Sequence, residues 1–198
     1  MAVEVTLEDA EWMVTRAGLS GVASVQSLPG GWDNSNLRLD LVDGTSLVLK
    51  IWQAQKSLDD VRTVIQRHIC LDNHGVPTAT PIEFTDGSRI VVRDGVAWTL
   101  LPHMPGGHLG SDKASLESLG ATMARMHEVP EADCFPRDFR MGWPLFERMY
   151  ELAEETSGWT EFLVALREEE GRLRGQIPDG LPQGILHGDL FPDNVIGD

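Results

Sequence analysis

Ile185-Leu186-His187-Gly188-Asp189-Leu190-Phe191-Pro192-Asp193-Asn194-Val195 is the stretch on which the reading of this chain turns. An apolar approach leads into His-x-Asp-Leu-x-x-x-Asn. The spacing has a chemical reason. A carboxylate at Asp189 can accept a hydrogen bond from a hydroxyl and aim that oxygen at a phosphoryl group. The carboxamide of Asn194 can hold a Mg²⁺ that neutralises phosphate charge. Singly, each residue has a plainer explanation: Asp beside Gly is a turn residue, His187 a core imidazole, Asn194 a cap. Jointly, at fixed spacing behind an apolar lead-in, they form a candidate catalytic loop, with Asp189 and His187 catalytic and Asn194 a metal ligand. Asp193 reads as a turn carboxylate rather than a second base.

Upstream of the loop the pattern is helical. Leu145 to Glu155 and Trp159 to Arg174 read as helices with acidic outer faces, and the run Glu168-Glu169-Glu170 as a solvated face. Ser111 is a plausible N-cap for a helix carrying Leu116, Leu119, Met123 and Met126, the methionines serving as core packing and the helix ending near His127.

The first hundred residues read differently. After a short helix from Thr6 to Ala17, Val22 to Leu28 looks like a strand. Leu37, Leu39 and Leu41 alternate with Arg38 and Asp40, the period of a half-buried strand. Asp43-Gly44 is a hairpin turn, and Leu47 to Trp52 the returning strand. A helix from Leu58 to Asn73 stops at Gly75-Val76-Pro77. Pro81 to Phe84, Arg89 to Arg93 and Val96 to Leu101 complete the strands, with turns at Asp86-Gly87 and Asp94-Gly95. The expected class is α+β: an antiparallel sheet with one inserted helix over residues 1–104, then a partial helical region over 105–198.

Two further features bear on chemistry. Gly30-Gly31-Trp32-Asp33-Asn34-Ser35-Asn36 joins the first two strands. Gly-Gly in a hairpin is usually only a turn, yet such glycines also let backbone N–H groups approach phosphate. Lys50 sits in Leu-Val-Leu-Lys-Ile, where a lysine either snorkels at an edge or reaches a phosphate. A glycine-rich loop before it and the His-x-Asp loop after it favour phosphate.

Bulk properties set the outer limits. The 198 residues carry a formal charge of −15 with 41% hydrophobic content, which argues for a globular chain and against nucleic-acid or anionic-membrane partners. ATP stays compatible, since Mg²⁺ and a few placed cations dominate locally. The N-terminus lacks the basic and apolar regions of a signal peptide, and no apolar run approaches membrane-spanning length, so a cytoplasmic location is expected. Cys70 and Cys134 read as reduced thiols. Neither Gly-x-Ser-x-Gly nor Gly-x-x-x-x-Gly-Lys-[Ser/Thr] occurs, and the other histidines lack ligand spacing.

At this point the chain resembles a known group. Gly30-Gly31-x-x-Asn34-Ser35-Asn36, Leu47-Val48-Leu49-Lys50, Gly75-Val76-Pro77, Leu119-Gly120-x-x-x-Ala124-x-Met126-His127 and the loop from Gly184 to Asn194 look like the aminoglycoside phosphotransferase and choline kinase-like superfamily. The wording around the catalytic loop is most similar to its homoserine kinase branch. The resemblance implies a protein-kinase-like two-lobe fold with ATP and Mg²⁺. It also implies phosphoryl transfer to the hydroxyl of a small metabolite such as homoserine. An aminoglycoside or choline acceptor, and a non-catalytic nucleotide-binding or interaction module, are the alternatives.

By the same resemblance Lys50 contacts the ATP phosphates, with Gly30, Gly31, Asn34 and Ser35 lining the nucleotide. Pro102 and Met104, in the hinge Leu101 to Met104, face the adenine edge. Asp189 orients the acceptor hydroxyl, His187 braces the loop, and Asn194 binds Mg²⁺. Gly188 replaces the arginine of protein kinases, which fits a small-molecule kinase without a phosphorylated activation loop. Two departures stand out. The helix glutamate that pairs with the strand lysine in the family falls near Val64, leaving Asp60 as the nearby acid. The family's second metal carboxylate comes after Asn194, and Asp198 is too close to serve. The expectation is therefore a fragment of a longer kinase, with an incomplete helical lobe, exposed apolar surface and little catalysis by itself.

Overall fold

The computed structural model describes residues 5–29, 34–137, 142–178, 180–191 and 194–197. The described residues fall into two compact units: one runs up to Pro130 and takes in the segment from Ile185 onward, and the other is Glu131–Gly184.

The first unit is built on a five-stranded antiparallel sheet. Its strands are β1 (Val22–Ser27), β2 (Ser35–Leu41), β3 (Ser46–Ile51), β4 (Val91–Arg93) and β5 (Val96–Pro102), in the order β1-β2-β3-β5-β4. The alternation in β2 and β3 carries through: Leu39, Leu41, Leu47, Leu49 and Ile51 are buried on one face. There they join Trp98 and Leu100 of β5 and Ala10, Met13 and Val14 of helix α1 (Leu7–Arg16). Thr6 caps α1 in a reciprocal box with Asp9, the N-terminal device that its sequence advertises. Burying such aliphatic side chains is worth about 1.5–3 kcal/mol each and dominates this unit's stability.

The opposite face of the sheet receives helix α2 (Leu58–Asn73), capped by Ser57. Val61 and Ile65 pack with Trp52 and Ala97, with Leu58, Val64, Ile69 and Ile90 around them. Lys50 lies between Leu49 and Ile51, so the pleat turns it to this second face, opposite Thr99 on β5.

Helix α3 (Lys113–His127) starts from Asp112 rather than Ser111. Asp112 accepts from the amides of Ala114 and Ser115, and a carboxylate at this position also suits the helix dipole. Met126 and Val129 at its far end pack with Val76, and Ile185 joins that cluster. Ile185, the first residue of the apolar lead-in, is thus anchored on the ends of α2 and α3, while Leu186 beside it is exposed.

The expected turns at Asp43-Gly44, Asp86-Gly87 and Asp94-Gly95 all form. Leu41 N–H donates to Thr45 across the Asp43-Gly44 loop. Asp94 and Gly95 both take positive φ, 51° and 77°, as a two-residue turn matching strand twist requires. The expected strand at 81–84 does not form. Proline at 81 has no N–H for a ladder, Ile82 makes a single bond to Leu100, and the Arg89 guanidinium takes the Pro81 carbonyl.

One further pairing was not anticipated. Strands β6 (Gly107–His108) and β7 (Ile196–Gly197) form a short antiparallel ladder, extended by Leu109 N–H to the Val195 carbonyl at 3.0 Å.

The second unit holds helices α4 (Trp143–Thr156) and α5 (Glu161–Arg174). Tyr150 stacks on Trp159 with ring centroids 5.7 Å apart, and the Arg167 guanidinium lies over both rings. Glu170 departs from the solvated reading of its acidic run. It is buried, and Arg174 Nε sits 2.5 Å from its carboxylate, because an inward-facing acid needs a fixed counter-charge. Phe162 and Leu152 are exposed. Among the described residues, no helix is long and apolar enough to cross a membrane.

Candidate active site

The candidate loop is internally braced. His187 Nδ1 accepts the Asp189 amide at 3.3 Å, which ties the imidazole to the backbone it precedes. Asn194 Nδ2 donates to the Asp189 carbonyl at 2.8 Å and to its carboxylate Oδ2 at 3.1 Å. Asn194 N–H closes a turn onto the Phe191 carbonyl at 2.9 Å. The carboxamide nitrogen is committed to Asp189, so its oxygen is the end left to ligate a cation. A carboxylate and a carboxamide oxygen are the hard donors that Mg²⁺ takes. Asp189, His187 and Asn194 are all exposed.

The downstream end of this loop is tied to the segment after the candidate hinge. Pro102 closes β5 opposite Leu47, His103 N–H reaches the Ser46 carbonyl, and Met104 is 40% exposed. Gly106 follows with φ +114°, and a Cβ there would stand 2.5 Å from the Gly197 carbonyl oxygen. Only glycine permits that approach. The β6–β7 ladder therefore holds the residues just after Asn194 against those just after Met104.

Lys50 has an unusual setting. Its ammonium lies 4.4 Å from the Trp52 ring centroid, the two side chains sharing a face because they are two apart on an extended strand. Trp52 is itself buried, and its indole N–H donates to the Thr99 hydroxyl at 3.2 Å. Burial, helped by the charge of Lys56, pulls the Lys50 pKa below its ordinary value. Among the described residues no carboxylate lies within ion-pair distance of it.

Asp60, the acid expected nearest, is turned to the helix start instead. Its carboxylate accepts the Ser57 hydroxyl at 2.8 Å while Ser57 caps its amide, a pairing that a residue in the first helical turn makes locally. Val64 packs in the α2 cluster. The α2 side chain that senses Lys50 is His68, one turn further on. Burial first, and the Lys50 charge after it, hold its pKa below the ordinary imidazole value. Its Nδ1 lies 2.9 Å from the Ala79 carbonyl; a carbonyl only accepts, so Nδ1 carries the proton.

Of the glycine-rich segment, Gly30 and Gly31 lie outside the described residues, as does Asp193 of the loop. Asn34 Oδ1 accepts the Gln53 amide at 3.3 Å, and Ser35 opens β2 opposite Ile51. Both therefore stand beside the turn that follows Lys50 and Trp52. Two surface cavities, of about 470 and 300 Å³, contain none of these residues: one lies by Trp159 and Arg167, the other by Arg62 and Arg89. Sequence reasoning missed Trp52, Lys56 and His68. Trp52 alone left a signal, its two-residue step from Lys50.

This chain belongs to the phosphotransferase enzyme family (APH), whose model matches residues 24–198. Among curated relatives it is similar to the homoserine kinase of Sinorhizobium fredii, 27% identical over 198 residues, covering 97% of this chain and 60% of that protein. The homoserine kinase of Rhizobium johnstonii is 24% identical over 195 residues, with the same coverage. The chain thus spans about 60% of the length of these relatives. Among solved structures, the spectinomycin phosphotransferase APH(9)-Ia, in complex with ADP and spectinomycin, superposes with a TM-score of 0.69 at 13% identity. That match covers 99% of this chain and 66% of the other. APH(2")-IIia, in complex with GDP and kanamycin, gives 0.61 at 19% identity over 98% of this chain and 68% of its own. The fold is the kinase-like α+β fold of these enzymes.

Proposed function

We propose that the whole protein transfers the γ-phosphoryl group of ATP to a hydroxyl of a small, amine-bearing metabolite, with homoserine the first candidate acceptor. The observation that carries this reading is the Asn194 carboxamide locked onto the Asp189 carboxylate by two hydrogen bonds. That contact fixes the carboxylate's direction and exposes an oxygen-donor pair beside it. Asp189 accepts the hydrogen bond of the acceptor hydroxyl and orients it. Lys50, half-buried and without a counter-carboxylate among the described residues, takes an anionic phosphate as its partner. Asn34 and Ser35 flank the phosphates together with Gly30 and Gly31, and Pro102 and Met104 border the adenine. Residues 1–104 supply the nucleotide side and 105–198 the loop side.

Mg²⁺, when bound, neutralises charge on the phosphates. Asn194 Oδ1 is the group of this loop that would hold it. Catalysis is then positioning and charge neutralisation, with little covalent work for the protein. The homoserine preference rests on curated relatives at about a quarter identity, and an aminoglycoside or choline is the competing acceptor. A nucleotide-binding module without catalysis is the second reading, favoured by the lack, among the described residues, of a carboxylate beside Lys50.

The test is product formation from ATP by the complete gene product with homoserine, choline and kanamycin in parallel. Highest kcat/KM on homoserine is expected. Phosphorylation of none of the three, with nucleotide still bound, would leave the module reading in its place.

A further inference from the structure

The chain has only three lysines, Lys50, Lys56 and Lys113, against thirty-one acidic residues in all. Lys113 stands 3.6 Å from Glu117, four residues on along α3. The other two behave differently. Lys56 Nζ lies 5.8 Å from the centroid of the same Trp52 ring that Lys50 approaches at 4.4 Å. Two ammoniums over one indole are no more than roughly one Debye length apart at moderate salt, about 10 Å, and they repel.

Among the described residues neither lysine has a carboxylate within 4.0 Å. The acids nearest in sequence are engaged: Asp59 with Arg62 at 2.7 Å, Asp60 with Ser57. The one titratable neighbour that α2 adds, His68, is held toward its neutral form and brings no negative charge. In so acidic a chain, two cations gathered with no anion among the described residues are a site that awaits one.

The local backbone supports that use. Trp52 is fixed by its hydrogen bond to Thr99, which is fully buried. Lys56 N–H closes a turn on the Gln53 carbonyl at 3.0 Å, and the Gln53 amide is held by Asn34, the first described residue after Gly31 in the glycine-rich segment. Lys56 is therefore placed beside the end of that segment. A lysine is a mobile point charge on a flexible stem, suited to following a phosphate chain.

We propose that Lys56 is a second phosphate-binding residue, clamping the nucleotide polyphosphate together with Lys50 across Trp52. This deepens the phosphotransferase reading and rests on it. Lys50 holds the more buried phosphate, and Lys56 the more exposed one. The clamp selects for ligands with two or more linked phosphates.

The test is equilibrium binding of ADP, AMP, adenosine and inorganic tripolyphosphate to the chain and to its Lys56→Gln and Lys56→Arg variants. Thermal melts confirm that these exposed substitutions leave the fold intact. Losing one charge-assisted hydrogen bond should weaken ADP and tripolyphosphate about tenfold in Lys56→Gln. AMP should change less than about threefold, adenosine not at all, and Lys56→Arg should recover most of the loss. Nucleotide binding that is the same in Lys56→Gln overturns the clamp and leaves the phosphotransferase reading standing. Lys56-dependent binding of tripolyphosphate without nucleotide binding supports the clamp and removes the nucleotide reading. Binding of neither removes both.

Discussion

Asn194 points its amide nitrogen at Asp189 twice, at the backbone carbonyl and at carboxylate Oδ2. A residue that binds both ends of another fixes that residue's side-chain torsion as well as its backbone. For the proposed transfer, Asp189→Asn replaces one carboxylate oxygen with an amide nitrogen and removes the charge but keeps the shape. It should lower kcat of the whole enzyme about a thousandfold or more while the KM for ATP stays within about threefold. Asp189 is exposed, so the melting temperature should hold. Steady-state kinetics beside a thermal melt reads both; a variant keeping a tenth of the wild-type kcat would remove Asp189 from its role.

Trp52 donates its indole N–H to the Thr99 hydroxyl in a fully buried hydrogen bond on the α2 face of the sheet. Thr99→Val keeps the volume and deletes the acceptor, so the indole N–H is left unsatisfied. The expected cost is about 1–3 kcal/mol, or about 2–12 °C in melting temperature for a chain of this size. Thr99→Ser should restore most of it. Near-ultraviolet circular dichroism on heating makes the measurement, and an unchanged Thr99→Val melt would contradict the role given to this bond.

Gly106 lets the segment after the hinge meet the strand after the catalytic loop. Gly106→Ala places a methyl against the Gly197 backbone and strains a φ of +114°, so the β6–β7 ladder should open. Gly107→Ala has nothing within 4 Å of its Cβ and serves as the control. Hydrogen exchange at the Leu109 amide, which donates to Val195, should quicken about tenfold or more in the first variant and stay slow in the second. Equal exchange in the two would show that the ladder does not depend on this contact.

The pH response has two windows with one sign. Hydrogen bonds from Ser46, Arg38 and Ser24 bring the Asp40 pKa from 3.8 down to about 2. The unfolded chain binds more protons between those values, so this stability is full above 3.8 and is lost as the pH falls toward 2. His68 is also lowered, from 6.5, chiefly by burial. Its folded form resists protonation, so stability declines as the pH falls below 6.5 toward its folded value. Denaturant midpoints against pH should flatten in the lower window for Asp40→Asn and in the upper one for His68→Gln. A wild-type profile that rises on acidification through either window would reverse the assignment.

Much of the first unit was legible because its signals are local. Alternation in Leu37 to Leu41 and in Leu47 to Ile51 needs only a pleat and one buried face. Thr6 with Asp9, and Asp94 with Gly95, announce a cap and a turn within a few residues. The failures were matters of near-equivalent choices. Ser111 and Asp112 are both good caps, and the one whose carboxylate reaches two amides won. Glu170 sits in an acidic run whose helix turns one member inward to meet Arg174. Two-residue strands such as Gly107–His108 carry no period at all.

By itself the sequence determined the order of elements and the spacing of His187, Asp189 and Asn194. Caps, turns and pleats are written in adjacent residues, and a loop this short can only close on itself. The company that Lys50 keeps was decided by the tertiary structure. Thr99 lies 47 residues from Trp52 along the chain, and His68 reaches the same face from a separate helix. Asp60 could have served the lysine on spacing alone, until the folded helix start claimed it for Ser57. Which charges meet across a sheet depends on how the layers stack, and side-chain packing between distant segments sets that stacking.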